Sequence, residues 1–354
     1  MIDVFIGTRP EVVKLCPVVK ALRKKTEVRV IVTGQHDDLT QHFKAFGLKP
    51  DFGLDAPPKD LSLASRTAWF MNLCSEFYSL SGKPSCAVVQ GDTATVFAAA
   101  MASFMNEVPV VHVEAGLRTF DIASPFPEEG YRQMVSRIAA VNFAPTTAAV
   151  DNLHNEQIRD NKIELVGNTV VDGLHMAKEN AMWPDGALKP KPGSPFILVT
   201  CHRRENWGHH AERLARFLNH SVFANTAGMV VLHPNPVAAK PFQELNDRFA
   251  RIDSVAYNEM VAMLMRANLV ITDSGGLVEE ASCLGIPVAI FRNTSERLEA
   301  VNAGVARMSF DEASLERNVG DALSGKWKAL ATDTFGDGNA AEKIADSLER
   351  RGLL

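Results

Sequence analysis

Short apolar runs alternate with amphipathic stretches along most of the chain. Residues 2–7 (IDVFIG), 28–34 (VRVIVTG), 86–92 (CAVVQGD), 109–116 (PVVHVEAG), 141–146 (VNFAPT) and 162–168 (KIELVGN) are brief, rich in β-branched residues and closed by turn formers. Continuous apolar runs of this length predict strands buried on both faces, as in a parallel sheet. Helical patterns fill the intervals, as at 10–24 and 93–105, and Pro10 stands at a first helical position, where its missing N–H is no loss.

The alternation pauses at 182–195, a stretch rich in Pro, Gly and Lys without periodicity, which predicts a linker or surface loop. It resumes with runs at 196–202, 229–235, 252–257, 268–276 and 287–293, and the tail at 338–351 predicts a closing helix. The expected fold is therefore α/β, with two doubly wound Rossmann-like domains and a cleft between them. The domains are drawn at 1–170 and 171–354, with the last helix a candidate to cross back to the N-terminal one.

A length of 354 residues exceeds what one domain commonly holds, which agrees with two. The net charge of -5 gives no electrostatic reason to expect nucleic acid or membrane as a partner. Five cysteines, Cys16, Cys74, Cys86, Cys201 and Cys283, are scattered without a C-x-x-C pair. They argue against a zinc or redox motif and read mostly as buried thiols of a reducing compartment. The N-terminal run lacks the basic leader of a signal peptide and no run is long enough to span a bilayer, so a cytoplasmic protein is expected.

In open parallel sheets ligands bind beyond the carboxyl ends of the strands. Seven strand ends here carry glycine or charged and polar residues: GTRPE, GQHDD, QGDTA, VEAGLR, CHRREN, LHPNP and DSGGLVEE. One or two would be ordinary turns; seven over both halves point to one cleft. Residues 272–280 read as a strand, a Ser-Gly-Gly turn and a helix, whose first N–H groups favour phosphate. Arg9, His202, Arg203 and Arg204 add charge at similar positions. Singly, Arg203 or Arg204 is better read as a solvated charge at a helix start; together these signals suggest a diphosphate.

No cofactor is expected. The single G-x-G-x-x-A, at 336–341, has too little chain after it for a βαβ unit, and no Walker A sequence is present. The chain lacks the Asp-x-Asp of metal-dependent sugar-nucleotide transferases, so Arg and His rather than Mg²⁺ are expected to meet phosphate charge. His112 and His233 read as hydrogen-bonded structural residues ahead of metal ligands.

Residues 111–132, VHVEAGLRTFDIASPFPEEGYR, follow a core strand with a burst of charge. Asp92 and Glu114 end strands, and Glu128 follows on a loop. Three acids at one sheet edge suit proton transfer, since close carboxyls push one another's proton affinities apart. The competing structural readings are a helix N-cap for Asp92 and ion pairing with Arg118 or Arg132. Glu129 reads as structural.

The sequence resembles the non-hydrolysing UDP-N-acetylglucosamine 2-epimerases over nearly its whole length. The resemblance runs through GTRPEVVK (7–14), GQH (34–36), QGDTAT (90–95), HVEAGLRT (112–119), SPFPEE (124–129), GNTVVD (167–172), HRREN (202–206), TDSGG (272–276), EEA (279–281), SER (295–297) and FGDG (335–338). It implies a glycosyltransferase-B-like architecture, with UDP held by the C-terminal domain and the sugar facing the N-terminal one. It implies that Asp92, Glu114 and Glu128 are the acid–base residues and that His202 acts near the diphosphate. By the same resemblance Arg9, Lys14, Ser274, Gly275, Gly276, Glu280 and Arg297 contact the substrate, with Glu280 on the ribose hydroxyls. Gln35 and His36 become candidates for a regulatory site, and a homodimer is expected. The implied reaction is reversible C2 epimerisation of UDP-N-acetylglucosamine to UDP-N-acetylmannosamine, by anti elimination of UDP to a glycal and re-addition.

The chain departs from the family's common pattern at Phe126, Gly130, Tyr131, Val278 and Leu298, and has Asp37 where Arg is common. The aromatic that commonly faces uracil is missing before Met263, with Val261 near its place. The rival readings are an epimerase of a related UDP-2-acetamido sugar, a hydrolysing 2-epimerase releasing N-acetylmannosamine, a glycosyltransferase and a non-catalytic nucleotide-sugar sensor. GTRPE speaks against the hydrolysing branch, and three intact acids speak against simple transfer and against a sensor.

Overall fold

Nearly every apolar run of the sequence becomes a strand paired in parallel with its neighbours. The computed structural model describes residues 1–354 apart from 37–38, 204–205, 224–225 and 293–297. Two units emerge, 1–176 together with 335–354, and 177–334.

The first unit contains β1 (Ile2–Ile6), β2 (Val28–Val32), β3 (Phe52–Gly53), β4 (Cys86–Gln90), β5 (Val110–Val113), β6 (Val141–Ala144) and β7 (Ile163–Leu165), in the sheet order β3-β2-β1-β4-β5-β6-β7. The second contains β8 (Phe196–Thr200), β9 (Ala227–Val231), β10 (Phe249–Ile252), β11 (Leu269–Thr272), β12 (Val288–Ile290) and β13 (Ala306–Met308), in the order β10-β9-β8-β11-β12-β13. All the pairings are parallel. The winding reverses between β1 and β4 in one sheet and between β8 and β11 in the other. At such a switch point the flanking connections leave on opposite faces and open a crevice at the carboxyl ends of the strands.

The cores follow from the composition of the strands. β1, β4, β5 and β8 are buried at every position. In the first unit Phe5, Val89 and Phe77 pack with the alanines of helix Ala94–Met105, whose small side chains let helix and sheet approach closely. In the second, Phe217, Phe223, Phe249 and Phe291 fill the corresponding layer. Each such side chain contributes about 1.5–3 kcal/mol when fully buried.

Several boundaries differ from the expectation. The run at 252–257 is largely a lead-in to helix Tyr257–Arg266, while β10 lies earlier, at Phe249–Ile252, anchored by buried Phe249. β3 and β13 are only two and three residues long, too short to leave a readable pattern. Residues 182–195 lie wholly within the second unit, and the boundary at 176/177 falls inside helix Thr169–Glu179. The last helix, Ala340–Arg350, belongs to the first unit. Asp172 accepts from the N–H groups of Ala340 (3.3 Å) and Ala341 (2.8 Å) at its start, and the Asn168 N–H donates to the Phe335 carbonyl (2.7 Å).

Candidate active site

The β4 end of the first unit supplies Asp92. The cap of the following helix is Thr93, whose Oγ1 accepts from the Val96 N–H at 3.3 Å. Asp92 is thereby relieved of that duty, and its half-buried carboxylate forms an ion pair with Arg132. Arg132 lies four residues after Glu128 on helix Glu128–Ile138, so the two share a helical face, and the Arg132–Asp92 pair brings that face to the β4 end. Glu128, half-buried, opens this helix.

Glu114 follows β5, the sheet neighbour of β4. It is buried, accepts from Gln90 Nε2 at 2.8 Å, and is ion-paired with Lys14 of helix Arg9–Arg23. Its φ of 62° lies in the left-handed region. A non-glycine residue held there costs of order 1–3 kcal/mol, and such residues gather at functional sites. Gly116 completes the turn at φ 91°, where a Cβ would stand 2.3 Å from the Ala149 carbonyl oxygen.

Two other charges of 111–132, Arg118 and Glu129, are taken up by contacts within the unit. Arg118 pairs with Glu156 (2.6 Å), away from the three acids, and also donates to Ser136 (3.1 Å). Glu129 is fully buried and accepts from the N–H groups of Thr119 (3.0 Å) and Phe120 (3.2 Å) and from Gln133 (2.8 Å). It thus holds the loop before Glu128 in shape. His112 is buried, with Nε2 donating to the Gly91 carbonyl at 2.8 Å; burial pushes its pKa down to about 4, so the ring is neutral at physiological pH. Gln35 turns its side-chain carbonyl onto Thr95, accepting from N–H (2.9 Å) and Oγ1 (2.7 Å), as a support of helix Ala94–Met105. His36 is exposed, with its N–H on the Gly7 carbonyl at 2.9 Å. Arg9, half-buried, opens the first helix.

In the second unit the β8 and β11 ends meet through one buried carboxylate. Asp273 accepts from the His202 N–H (2.9 Å), the Arg203 N–H (2.9 Å) and Asn206 Nδ2 (2.9 Å). This fixes the backbone that carries His202, whose Nε2 faces the Val231 carbonyl at 2.9 Å and therefore bears the hydrogen. Ser274 is the N-cap of helix Gly275–Leu284, and Gly276 stands in its first turn. A Cβ at Gly276 would meet nothing within 4 Å, so packing in this unit does not demand the glycine. The N–H groups of a helix start suit an anion. One turn on, buried Glu280 accepts from the Tyr257 hydroxyl at 3.0 Å; burial, then the Glu280 charge, hold that hydroxyl well above its usual pKa. Val261 is wholly buried in the core and cannot face a base. Arg297, Arg204 and Asp37 lie outside the described residues.

The supports beneath these groups, Glu11, Gln90, Thr93 and Asp273, escaped the sequence reading. Glu11, in the quoted GTRPE, resembles any acid in a first helical turn. Among the described residues no cluster of three or more His, Cys, Asp or Glu could hold a metal ion, and no helix is long and apolar enough to cross a membrane. Of the cysteines, four are buried and Cys283 is half-buried.

Comparison with known proteins agrees across the chain. A sequence model of the UDP-N-acetylglucosamine 2-epimerases matches residues 20–349. The UDP-N-acetylglucosamine 2-epimerase of Escherichia coli K12 is 35% identical, over 98% of this chain and 98% of its own. The crystal structure of the Neisseria meningitidis UDP-GlcNAc 2-epimerase bound to UDP-GlcNAc superposes with a TM-score of 0.91 at 32% identity, covering 99% of each chain. The Methanocaldococcus jannaschii UDP-GlcNAc 2-epimerase in complex with UDP-GlcNAc and UDP gives 0.84 at 29% identity, again over 99% of each.

Proposed function

Since the chain belongs to the UDP-N-acetylglucosamine 2-epimerase family, we propose that it interconverts UDP-N-acetylglucosamine and UDP-N-acetylmannosamine without net hydrolysis. The observation that carries this reading is the set of three carboxylates at the β4 and β5 ends and the adjoining helix start, with Lys14 on Glu114 and Arg132 on Asp92.

The C2 hydrogen of such a sugar is not next to a carbonyl, so direct deprotonation is too hard. Removal of the C2 proton by a carboxylate, while the C1–O bond breaks and its electron pair leaves with UDP, gives a glycal. A carboxylic acid then delivers a proton to the other face of C2, and the UDP oxygen re-forms the bond to C1. Asp92, Glu114 and Glu128 serve as the acids and bases of these steps. His202, Arg297 and the Ser274-Gly275-Gly276 turn hold the diphosphate through both half-reactions, Glu280 holds the ribose, and Arg9 and Lys14 contact the substrate. Keeping UDP bound is what separates epimerisation from hydrolysis. Side-chain acids in the first unit and backbone amides in the second support this division.

The test is product analysis of UDP-N-acetylglucosamine incubated with the protein, without added metal or NAD. A mixture of two UDP-linked epimers is expected. Free N-acetylmannosamine with UDP as the dominant product would favour the hydrolysing reaction. Turnover only of another UDP-2-acetamido sugar would reassign the substrate, and binding without turnover would favour a sensor.

A further inference from the structure

Glu11 sits beneath the β1 and β4 ends and joins them. It is 1% exposed. Its Oε2 accepts from the Gly7 N–H at 2.6 Å and the Thr8 N–H at 3.3 Å, the two residues before Arg9. Its Oε1 accepts from the Thr93 hydroxyl at 2.7 Å, the residue after Asp92. Together these bonds tie the two turns that flank the switch point of the first sheet.

A helix-capping role explains only part of this. Thr8 is the N-cap of helix Arg9–Arg23 and Glu11 its third residue, so the Thr8 N–H contact is the glutamate half of a capping box. The two shortest contacts, to Gly7 and Thr93, lie outside such a box, and the second reaches a turn 82 residues away. Close packing reinforces the link: a Cβ on Gly7 would stand 2.0 Å from Thr95 Oγ1. Burial pushes the Glu11 carboxyl up to about 7, opposed by the hydrogen bonds from Gly7, Thr93 and Thr8. Keeping an acid where its charge is disfavoured is intelligible if its two acceptor oxygens have work that a shorter or apolar side chain cannot do.

We propose that Glu11 is a positioning residue, resting on the reaction proposed above, which fixes Asp92 through Thr93 and Arg9 through the Gly7 and Thr8 amides. Misplacement of a reacting group by about 1 Å can cost roughly a hundredfold in rate. Glu11→Ala removes both links. Glu11→Gln keeps an acceptor for the two amides and an amide that donates to Thr93, so it is the conservative rescue. Thr93→Val breaks the link to the Asp92 turn, together with the cap on the Val96 N–H, and leaves the Gly7 and Thr8 contacts of Glu11 in place.

The experiment measures kcat and KM for C2 epimerisation at pH 8, melting temperature, and hydrogen–deuterium exchange over residues 7–12 and 91–96, for wild type and the three variants. Glu11→Ala and Thr93→Val are expected to lower kcat by about ten- to a hundredfold, with KM within about threefold in Thr93→Val and raised in Glu11→Ala, which also frees the Arg9 turn, and Glu11→Gln to recover most of the loss. Faster exchange in Glu11→Ala should be confined to those two segments. If Glu11→Ala does not fold, Thr93→Val against Glu11→Gln decides. Near-normal kcat in folded Glu11→Ala or Thr93→Val would overturn the proposal, and so would a Glu11→Gln as impaired as Glu11→Ala. Wild type without epimerase activity would defeat the proposed function instead. The exchange comparison would then still judge Glu11: unchanged exchange at 91–96 in Glu11→Ala contradicts it, and local acceleration there upholds it.

Discussion

The strand ends of the first unit are furnished with side chains and those of the second with backbone. Beyond β4 and β5, Asp92, Glu114, Lys14 and Arg132 stand paired in a partly buried network. Beyond β8 and β11, the Asp273 carboxylate gathers backbone N–H groups, and a Cβ at Gly276 in the adjoining helix start would meet nothing within 4 Å. The same doubly wound topology makes both crevices, so the difference lies in the residues alone. Side-chain carboxyls gain and lose protons; backbone amides only donate hydrogen bonds and suit an anion that must be held throughout. On the proposed reaction, the first unit would serve proton chemistry and the second diphosphate retention.

The comparison breaks most visibly at the acids. Glu114→Gln, Glu128→Gln and Asp92→Asn should each lower turnover by about 10²–10⁴-fold, with UDP affinity, read by calorimetry, changed by less than about threefold. A variant that keeps near-normal turnover removes its residue from the chemistry. A loss of turnover matched by a large fall in melting temperature would return that residue to an ion-pairing role.

Glu129 supplies the internal control, because it sits beside Glu128 yet holds the loop amides and, at 3.4 Å, Arg132. Glu129→Ala would remove the acceptor of the Thr119 and Phe120 amides, at about 0.5–1.5 kcal/mol for each hydrogen bond lost, since both residues are exposed and water can replace it. Denaturant unfolding should register that loss. Turnover of Glu129→Gln should fall less than that of Glu128→Gln, and the reverse order would exchange the two roles.

The second unit is tested at Gly276. Gly276→Leu fills space that the folded unit leaves empty. UDP affinity should fall by at least about tenfold, equivalent to about 1.4 kcal/mol, without a fall in melting temperature. Unchanged affinity would remove this turn from the diphosphate site.

The smallest expected effect concerns pH. Glu11 holds its proton to about pH 7, above the usual glutamate value of 4.5. Between those values the native state binds more protons at this site than the unfolded chain, so the Glu11 contribution is fully present below about 4.5 and is lost as pH rises through 7. The unfolding free energy of wild type, relative to Glu11→Gln, should therefore decline from pH 5 to pH 8 in urea titrations. A flat difference would place the Glu11 carboxyl near its ordinary value.

Much of this was legible in the sequence because strong signals are local. Buried parallel strands such as 86–90 leave continuous apolar runs, and the residues that follow them, Asp92, Glu114 and His202, sit where the topology opens a crevice. The supports were not legible, because their meaning depends on pairing across long stretches of chain. Glu11 with Thr93, Lys14 with Glu114 and Asp273 with His202 are separated by 82, 100 and 71 residues. Of the two arginines offered as alternative partners for the acids, Arg132 pairs with Asp92 and Arg118 with Glu156. The return of the last helix to the first unit is likewise fixed by distant contacts, the Asp172 cap and the Asn168–Phe335 bond, rather than by any composition change.

The most direct test of the central claim, that acids of the first unit exchange the C2 proton while the second unit keeps UDP, is incubation with UDP-N-acetylglucosamine in D₂O followed by NMR. The account predicts UDP-linked N-acetylmannosamine carrying deuterium at C2, appearing together with deuterated UDP-N-acetylglucosamine as equilibrium is approached. Epimer that fully retains the original C2 hydrogen, or free N-acetylmannosamine as the main product, would contradict it.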